Sequence, residues 1–468
     1  MIVSERHTGE PAGRGRRWIQ RRDLLATGLT AAGIGALTAP LASSGPPPAP
    51  VVVPIGAPTG SGSDTVRDIR AFGAVGDGEA DDTEALAAAC RTGGAPPVVY
   101  LPAGDYRITA WPDLPDYAVV YGDGADATTV FCDQDTTLVD LEGKQRIRFA
   151  RMGFYLTGPT ATAVRLAGCF RCGFDTVLIR GNHLGDNYPR YAEQRGVVLE
   201  ANTGGTSFID CDINNFGVGL VTSCIQNYVT SSKFTGNRIG VLGTGNDHNA
   251  GLSLTNAEFV SDTDPATTDR HLVVEGAANN WWLTNVWFEG AEVAVQVGTA
   301  GQGGPSQFGM VNCKVAARAC DIDLVYCRQP YLANIAFDAD PDSRPIELRI
   351  DEAGCPEGIA INLISGSGDE IVPPVFPRNW QIIGRGHIHR PTFTGTVTAR
   401  GSGPDEILRA VAPDGAGLAS VLASGAWLSD RADAGVVLKD PEGGYWRLVV
   451  SPDGALRTAP LGRDRPVR

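Results

Sequence analysis

The 468-residue chain is short of several features that would settle its class at once. Aromatic residues are 7% of it, charged residues 20% and methionines only three. It lacks a basic stripe: 39 Lys and Arg face 53 Asp and Glu, for a formal charge of -14. Nothing of that kind neutralises a phosphate backbone, so nucleic acid is excluded as a partner. The same balance weighs against a strongly polyanionic substrate, unless a local basic patch overrides it. Beyond residue 41 no apolar run is long enough to cross a bilayer. The CxxC spacing of Cys169 and Cys172 has no second pair to match it, and a tetrahedral zinc site needs more ligands. No metal is therefore expected from the cysteines.

What the chain has in quantity is turn formers, with 59 Gly and 31 Pro. That composition suits many short strands rather than long helices. Length alone would suggest two or three domains, but repeat folds escape that rule.

The first 43 residues read as a targeting segment. Arg14, Arg16, Arg17, Arg21 and Arg22 make a basic start, and residues 24–41 form a mildly apolar run rich in Ala, Gly and Thr. Arg21-Arg22 followed by Asp23-Leu24-Leu25 resembles a twin-arginine export motif. A transmembrane anchor is the other reading, which the length and polarity of the run disfavour. Cleavage near Ala42 would leave a secreted protein with no membrane partner. Residues 44–64 are a Pro/Gly/Ser linker without periodicity, expected to be disordered or extended. In an exported chain the ten cysteines permit disulfides. Cys211 and Cys313 fall within strands, where buried free thiols are common.

From about Arg146 a pattern recurs: an apolar residue, four others, then another apolar residue. Phe149 to Phe154, Phe174 to Ile179, Phe208 to Ile213, Val229 to Phe234, Leu254 to Phe259, Leu283 to Phe288, Met310 to Val315 and Leu332 to Phe337 all fit. With Ile364 as the last closing residue, the period is about 26 residues, within the range of solenoids. Alternating strands such as 293–297 and 346–350 lie between these units. One repeat is too small to bury its own apolar face, so stacking must do it.

The five-residue step implies a bend. In a continuous strand residues five apart face opposite sides. For both to point inward the chain must turn between them. Asn256, Asn285, Asn312 and Asn334 all sit two residues after the first apolar position, and Asn tolerates the left-handed backbone. Stacked, they predict a structural asparagine ladder. Asp210 falls in the same column. The fold class expected is all-β, a right-handed parallel β-helix with one tight corner.

Residues 68–109 carry Phe72-Gly73-Ala74, Gly76-Asp77-Gly78, Asp81-Asp82-Thr83 and Leu101-Pro102-Ala103-Gly104-Asp105-Tyr106. This stretch resembles the N-terminal signature of the pectate lyase superfamily, which includes rhamnogalacturonase- and polygalacturonase-like proteins, alginate epimerases and phage tailspikes. The resemblance covers about a tenth of the chain. It implies a β-helix spanning residues 65–390 with a capping helix, a polysaccharide as partner, and hydrolysis, β-elimination or binding alone as the activity. Asp81 or Asp82 can cap a helix through Leu86 to Cys90 that plugs the open end of the solenoid. The cluster Asp77, Asp81 and Asp82 also allows a calcium reading; otherwise no cofactor is expected. Residues 391–468 end in hairpins, with turns at 440–444 and 452–454 flanking 445–450. They resemble the C-terminal β-modules of tailspike-like proteins, which implies a cap or a homotrimer.

The register also lists the outer wall. If the closing apolar residue points inward, both its neighbours point outward. The preceding neighbours are Leu178, Asp212, Lys233, Glu258, Trp287, Lys314 and Ala336; the following ones are Arg180, Asn214, Thr235, Val260, Glu289, Ala316 and Asp338. Asp212, Glu258 and Glu289 are the candidate catalytic carboxylates, since glycoside hydrolysis needs an acid and a base or nucleophile. Lys233 can hold one of them ionised while the other keeps its proton; a lyase would need a cation to neutralise the uronate and a base, for which Lys233 or Arg180 could serve. Trp287 offers a sugar-stacking face. Asn214, with Tyr188, Arg190 and Tyr191 in the insertion 181–195, completes the substrate-binding candidates. The insertions 181–195 and 260–270 leave the same corner and can wall a groove. The same column of Asp, Lys and Glu is also an ordinary cross-strand ion-pair ladder. Asn246-Asp247-His248 and the His387/His389 pair are weaker candidates, the latter a polar strand edge as readily as a metal site.

Overall fold

The computed structural model describes residues 66–91, 94–245, 251–261, 267–338, 345–371, 375–384, 388–389, 406–411, 417–422, 427–429 and 436–464. Residues 1–65, with the expected leader and linker, and Asn246-Asp247-His248 and His387 lie outside them.

The chain winds into a right-handed parallel β-helix of about 11 turns. One wall is a sheet of nine parallel strands, from Thr137–Glu142 to Ile346–Ile350. The rest of each coil is a pair of short strands either side of the corner, such as Leu252–Thr255 and Glu258–Val260. Parallel pairing runs from Arg67–Asp68 to Gln381–Ile383. Ile388–His389 then reverses direction and pairs antiparallel with that last strand.

The bend occurs where the five-residue step requires it. The residue two after the first apolar position has φ between 51° and 55° in nine coils: Arg151, Thr176, Asp210, Ser231, Asn256, Asn285, Asn312, Asn334 and Asn362. Both flanking apolar residues are thereby buried, as in Phe208 with Ile213 and Leu254 with Phe259. In the later coils the amides form a ladder. Asn285 Nδ2 donates to Asn256 Oδ1 at 2.7 Å, Asn334 to Asn312 at 3.1 Å, and Asn362 to Asn334 at 3.0 Å. The inward columns stack ring on ring, with centroids 5.2 and 4.9 Å apart along Phe149, Phe174 and Phe208. They are 4.7 and 4.9 Å apart along Phe234, Phe259 and Phe288. One expectation slips by a residue. Ile364 pairs with Ala336, an outward position, while buried Leu363 pairs with Ile335, just after the corner.

The plug is a helix, Thr83–Cys90, that buries Ala85, Leu86, Ala89 and Cys90. Asp81 Oδ1 accepts from the Thr83 amide at 3.0 Å. Asp82, the residue at the cap position, turns away, and its buried carboxylate accepts from the Val75 and Gly76 amides at 2.7 and 3.0 Å. Asp77 accepts from Glu79 and Ala80 at 2.9 Å each. Each of the three carboxylates considered for calcium thus accepts at least one backbone amide. All ten cysteines are free and buried. Cys211, Ala257 and Cys313 are small buried residues just after the corner.

Near the C-terminus Val437–Lys439, Tyr445–Val450 and Leu456–Gly462 form an antiparallel sheet with turns where the sequence places them. Asp440 closes the first, accepting from the Gly444 amide at 2.8 Å and Trp446 Nε1 at 2.6 Å. A second three-stranded sheet, Glu406–Val411 with Gly417–Leu422 and Trp427–Ser429, occupies a stretch in which no strand was read from the sequence.

Two predictions follow from the core. Asn285→Ala removes a ladder bond and puts an uncompensated β-carbon at φ 55°. It is expected to cost about 1–2 kcal/mol in guanidinium unfolding, and Asn285→Gly less; equal stability of wild type and Asn285→Ala would remove the ladder's role. The second concerns Asp321, fully buried, with Oδ1 taking the Ala317 amide at 2.5 Å and Oδ2 without a partner among the described residues. Burial pushes its carboxyl up to about 7, the Ala317 bond opposes this, and Glu347 and Asp338 add to it. The folded chain then binds one more proton than the unfolded chain between about pH 4 and 7, so this group's contribution to stability falls as pH rises through that window. Asp321→Asn should gain about 2–3 kcal/mol on wild type between pH 5 and pH 8. A thermal-unfolding advantage that does not change with pH would show that Asp321 is not the titrating group.

Candidate functional site

The corner brings the candidate wall into register as the sequence lists it. Leu178, Asp212, Lys233, Glu258, Trp287, Lys314 and Ala336 are successive Cα partners. Asn214 pairs with Thr235, and Val260 with Glu289. Each strand has an inward Ile, Phe or Val between the two outward side chains, which fixes their direction.

Lys233 stands between the carboxylates of Asp212 and Glu258. Its Nζ lies 3.8 Å from Glu258 Oε2, with both side chains partly open to solvent. The Asp212 side chain reaches solvent, but the protein packed around it raises its carboxyl above the ordinary carboxylate range. Lys233 opposes that rise, and Asp210, Asp126 and Glu258 reinforce it. Two coils, about 10 Å at the backbone, separate Asp212 from Glu258. Glu289 is exposed in the second outward column, diagonal to Glu258, so it does not join that pair directly. Its backbone carbonyl is bonded by buried His271 at 2.8 Å. Burial lowers that imidazole to about 4, so it stays neutral and structural.

Several candidates are already engaged. Lys314 Nζ sits 4.4 Å from the centroid of Trp287, covering one indole face. The same ammonium is 2.5 Å from Asp338. Asn214 Oδ1 accepts from the Thr235 amide at 3.1 Å and so ties one coil to the next. Tyr191 is only 5% exposed, with the Arg190 guanidinium 5.4 Å from its ring centroid. Its burial fits loop packing and leaves it no open face for a sugar. Tyr188 and Arg190 are exposed. The insertions do meet: His183 Nε2 is 3.0 Å from the Thr267 carbonyl, joining residues 181–195 to the far end of 260–270.

The register argument missed an aromatic column on the other side of the corner. Ser207, Tyr228, Ser253, Trp282, Gly309 and Tyr331 are successive partners there. The neighbours of the first apolar residue, read as those of the closing one were, would have found it.

Among known proteins, residues 66–145 match the model of the family described as rhamnogalacturonase A/epimerase, pectate lyase-like. No curated protein matches the chain. Many solved structures resemble it, and three of them illustrate the range. The ORF18 protein of Geobacillus virus E2 is 14% identical over 86% of this chain and 79% of its own, with a TM-score of 0.49. A tailspike protein of E. coli bacteriophage HK620, solved with a pentasaccharide, is 12% identical over 68% and 64%, with a TM-score of 0.47. The A-module of the Azotobacter vinelandii mannuronan C-5 epimerase AlgE4 is 14% identical over 68% and 100%, with a TM-score of 0.42.

Proposed function

We propose that this chain is an exported protein that acts on a polysaccharide along the Asp212–Glu258 wall, cleaving it by hydrolysis. The observation that carries the reading is a pair of carboxylates whose surroundings differ. Asp212 is shifted toward its protonated form, while Glu258 is ion-paired with Lys233. That is the division between general acid and general base that glycoside hydrolysis uses. Hydrolysis is preferred to β-elimination because Lys233 is held in an ion pair, the wrong state for a proton acceptor. The pectate lyase-like match at residues 66–145 and the twin-arginine-like sequence Arg21-Arg22-Asp23-Leu24-Leu25 support an exported glycan-active protein.

The test is release of new reducing ends from a panel of polysaccharides, with ultraviolet absorbance reporting any unsaturated uronate. Asp212→Asn and Glu258→Gln should each lower the rate by about 10²–10⁴-fold. Lys233→Met removes the group that opposes the rise at Asp212, so the alkaline limb of the pH profile should move to higher pH. Unchanged cleavage in both carboxylate variants would show that the chemistry lies elsewhere.

A second reading is binding without turnover, favoured by Lys314 lying on Trp287 and by the ion pairs along the wall. It goes with assembly into a trimer through the C-terminal sheet, where Val450 and Leu456 are 72% and 67% exposed. Light scattering should then give three times the chain mass. Val450→Asp with Leu456→Asp should return the monomer, and a monomeric wild type would end the trimer proposal.

A further inference from the structure

We propose that a second glycan site lies across the corner from this wall: a cleft that takes a neutral pyranose unit of a polysaccharide. It shares with the proposed function only the class of ligand. Trp282 and Trp287 belong to one coil, but the bend at Asn285 puts them on different faces.

The floor is aromatic. Trp282 is 41% exposed on a sheet whose partners in that column are Ser253 and Gly309. Trp282 and Tyr331 are two coils apart, about 10 Å by strand spacing. Their ring centroids are nevertheless only 6.3 Å apart, at an interplanar angle of 54°. The intervening residue allows this. A β-carbon on Gly309 would stand 2.1 Å from the Trp282 ring, so the indole leans across the glycine toward Tyr331. Gly309 has no positive φ to explain it. A glycine inside a strand weakens the strand and marks a close approach; here the approaching group is the indole.

The space above these rings is about 480 Å³, the size of a small-ligand cleft. Gln307, Gln329 and Asn379 line it. Carboxamides present a donor and an acceptor together, which suits paired sugar hydroxyls, and Gln307 Nε2 already donates to Gln329 Oε1 at 3.0 Å. Apolar ring faces bounded by amides match a pyranose, with its C–H faces and equatorial hydroxyls. Arg328 and Glu357 both line the cleft and are exposed, and neither forms an ion pair among the described residues. One cation and one anion leave no net charge to select an acidic sugar. A uronate-specific cleft would be expected to carry an excess of cations.

The experiment is calorimetric titration of the full chain with hexasaccharides of glucose, mannose and xylose, and with hexagalacturonate as the acidic arm. At least one neutral hexasaccharide should bind. Trp282→Ala and Gly309→Ala should each weaken it by about tenfold or more, with Trp282→Phe keeping most of the affinity. Gln329→Ala, a surface change that does not threaten folding, should weaken it by a smaller factor. Asp212→Asn should leave this binding intact while removing cleavage, which separates the two sites. The proposal is overturned by no neutral binding at millimolar ligand, by full affinity in Trp282→Ala, by tighter binding of hexagalacturonate than of every neutral ligand, or by loss of binding in Asp212→Asn.

Discussion

Everything in this molecule depends on one backbone constraint. Two apolar residues five apart must both face the interior, and a single left-handed residue between them makes that happen. The bend costs each coil about 1–2 kcal/mol where the residue has a β-carbon. Stacking offsets it, because the flanking residues join continuous columns of Phe, Leu, Ile and Val with almost no exposed area. The amide ladder adds a bond at three of the four steps where two asparagines meet, as between Asn256 and Asn285. Arg151, Thr176 and Ser231 hold the same conformation without being asparagine. The bend therefore follows from packing, and asparagine only lowers its cost.

The same constraint made the outer wall legible in advance. Once the corner is placed, the side of every neighbouring residue is determined, so the column from Leu178 to Ala336 could be listed from spacing alone. The reading failed where the periodic packing gives out. In the coil of residues 359–364 the closing position is lost, Ile364 pairing with outward Ala336 next to a turn that folds back through Glu370. Loop side chains were illegible for a different reason. Whether Tyr191 faces a ligand or the protein depends on contacts made by an insertion with no period. Asn214 was placed correctly, but its use by the Thr235 amide is a bond between coils that spacing does not reveal. Glu406–Val411 and its partners were missed because an isolated antiparallel sheet shares no period with the solenoid.

An ion-pair ladder and an acid/base pair use the same residues, and what separates them is how differently the two carboxylates are held. In a plain ladder Lys233 would stabilise both carboxylates by similar small amounts. Instead the protein around Asp212, with Asp210 and Asp126 nearby, makes its charge costly, while the salt bridge of Lys233 goes to Glu258. That asymmetry depends on packing and on the nearby Asp210 and Asp126, which strand spacing alone does not reveal.

The corner also explains how one coil can serve two chemistries. A left-handed residue needs nothing from the outward side chains either side of it, so those columns are free to differ. Across Asn285 one coil presents Trp287, beside Glu258 and beneath the Lys314 ammonium. On the other flank it presents Trp282, beside Gly309 and uncovered. The first indole is closed off by a cation and belongs to a charged surface. The second is left open by the absence of a side chain in the next coil, and any larger residue at Gly309 would push the indole off its place and destroy the platform. A position where a strand gives up stability for an exposed aromatic face is hard to account for by folding, and a ligand on that face supplies the missing contact.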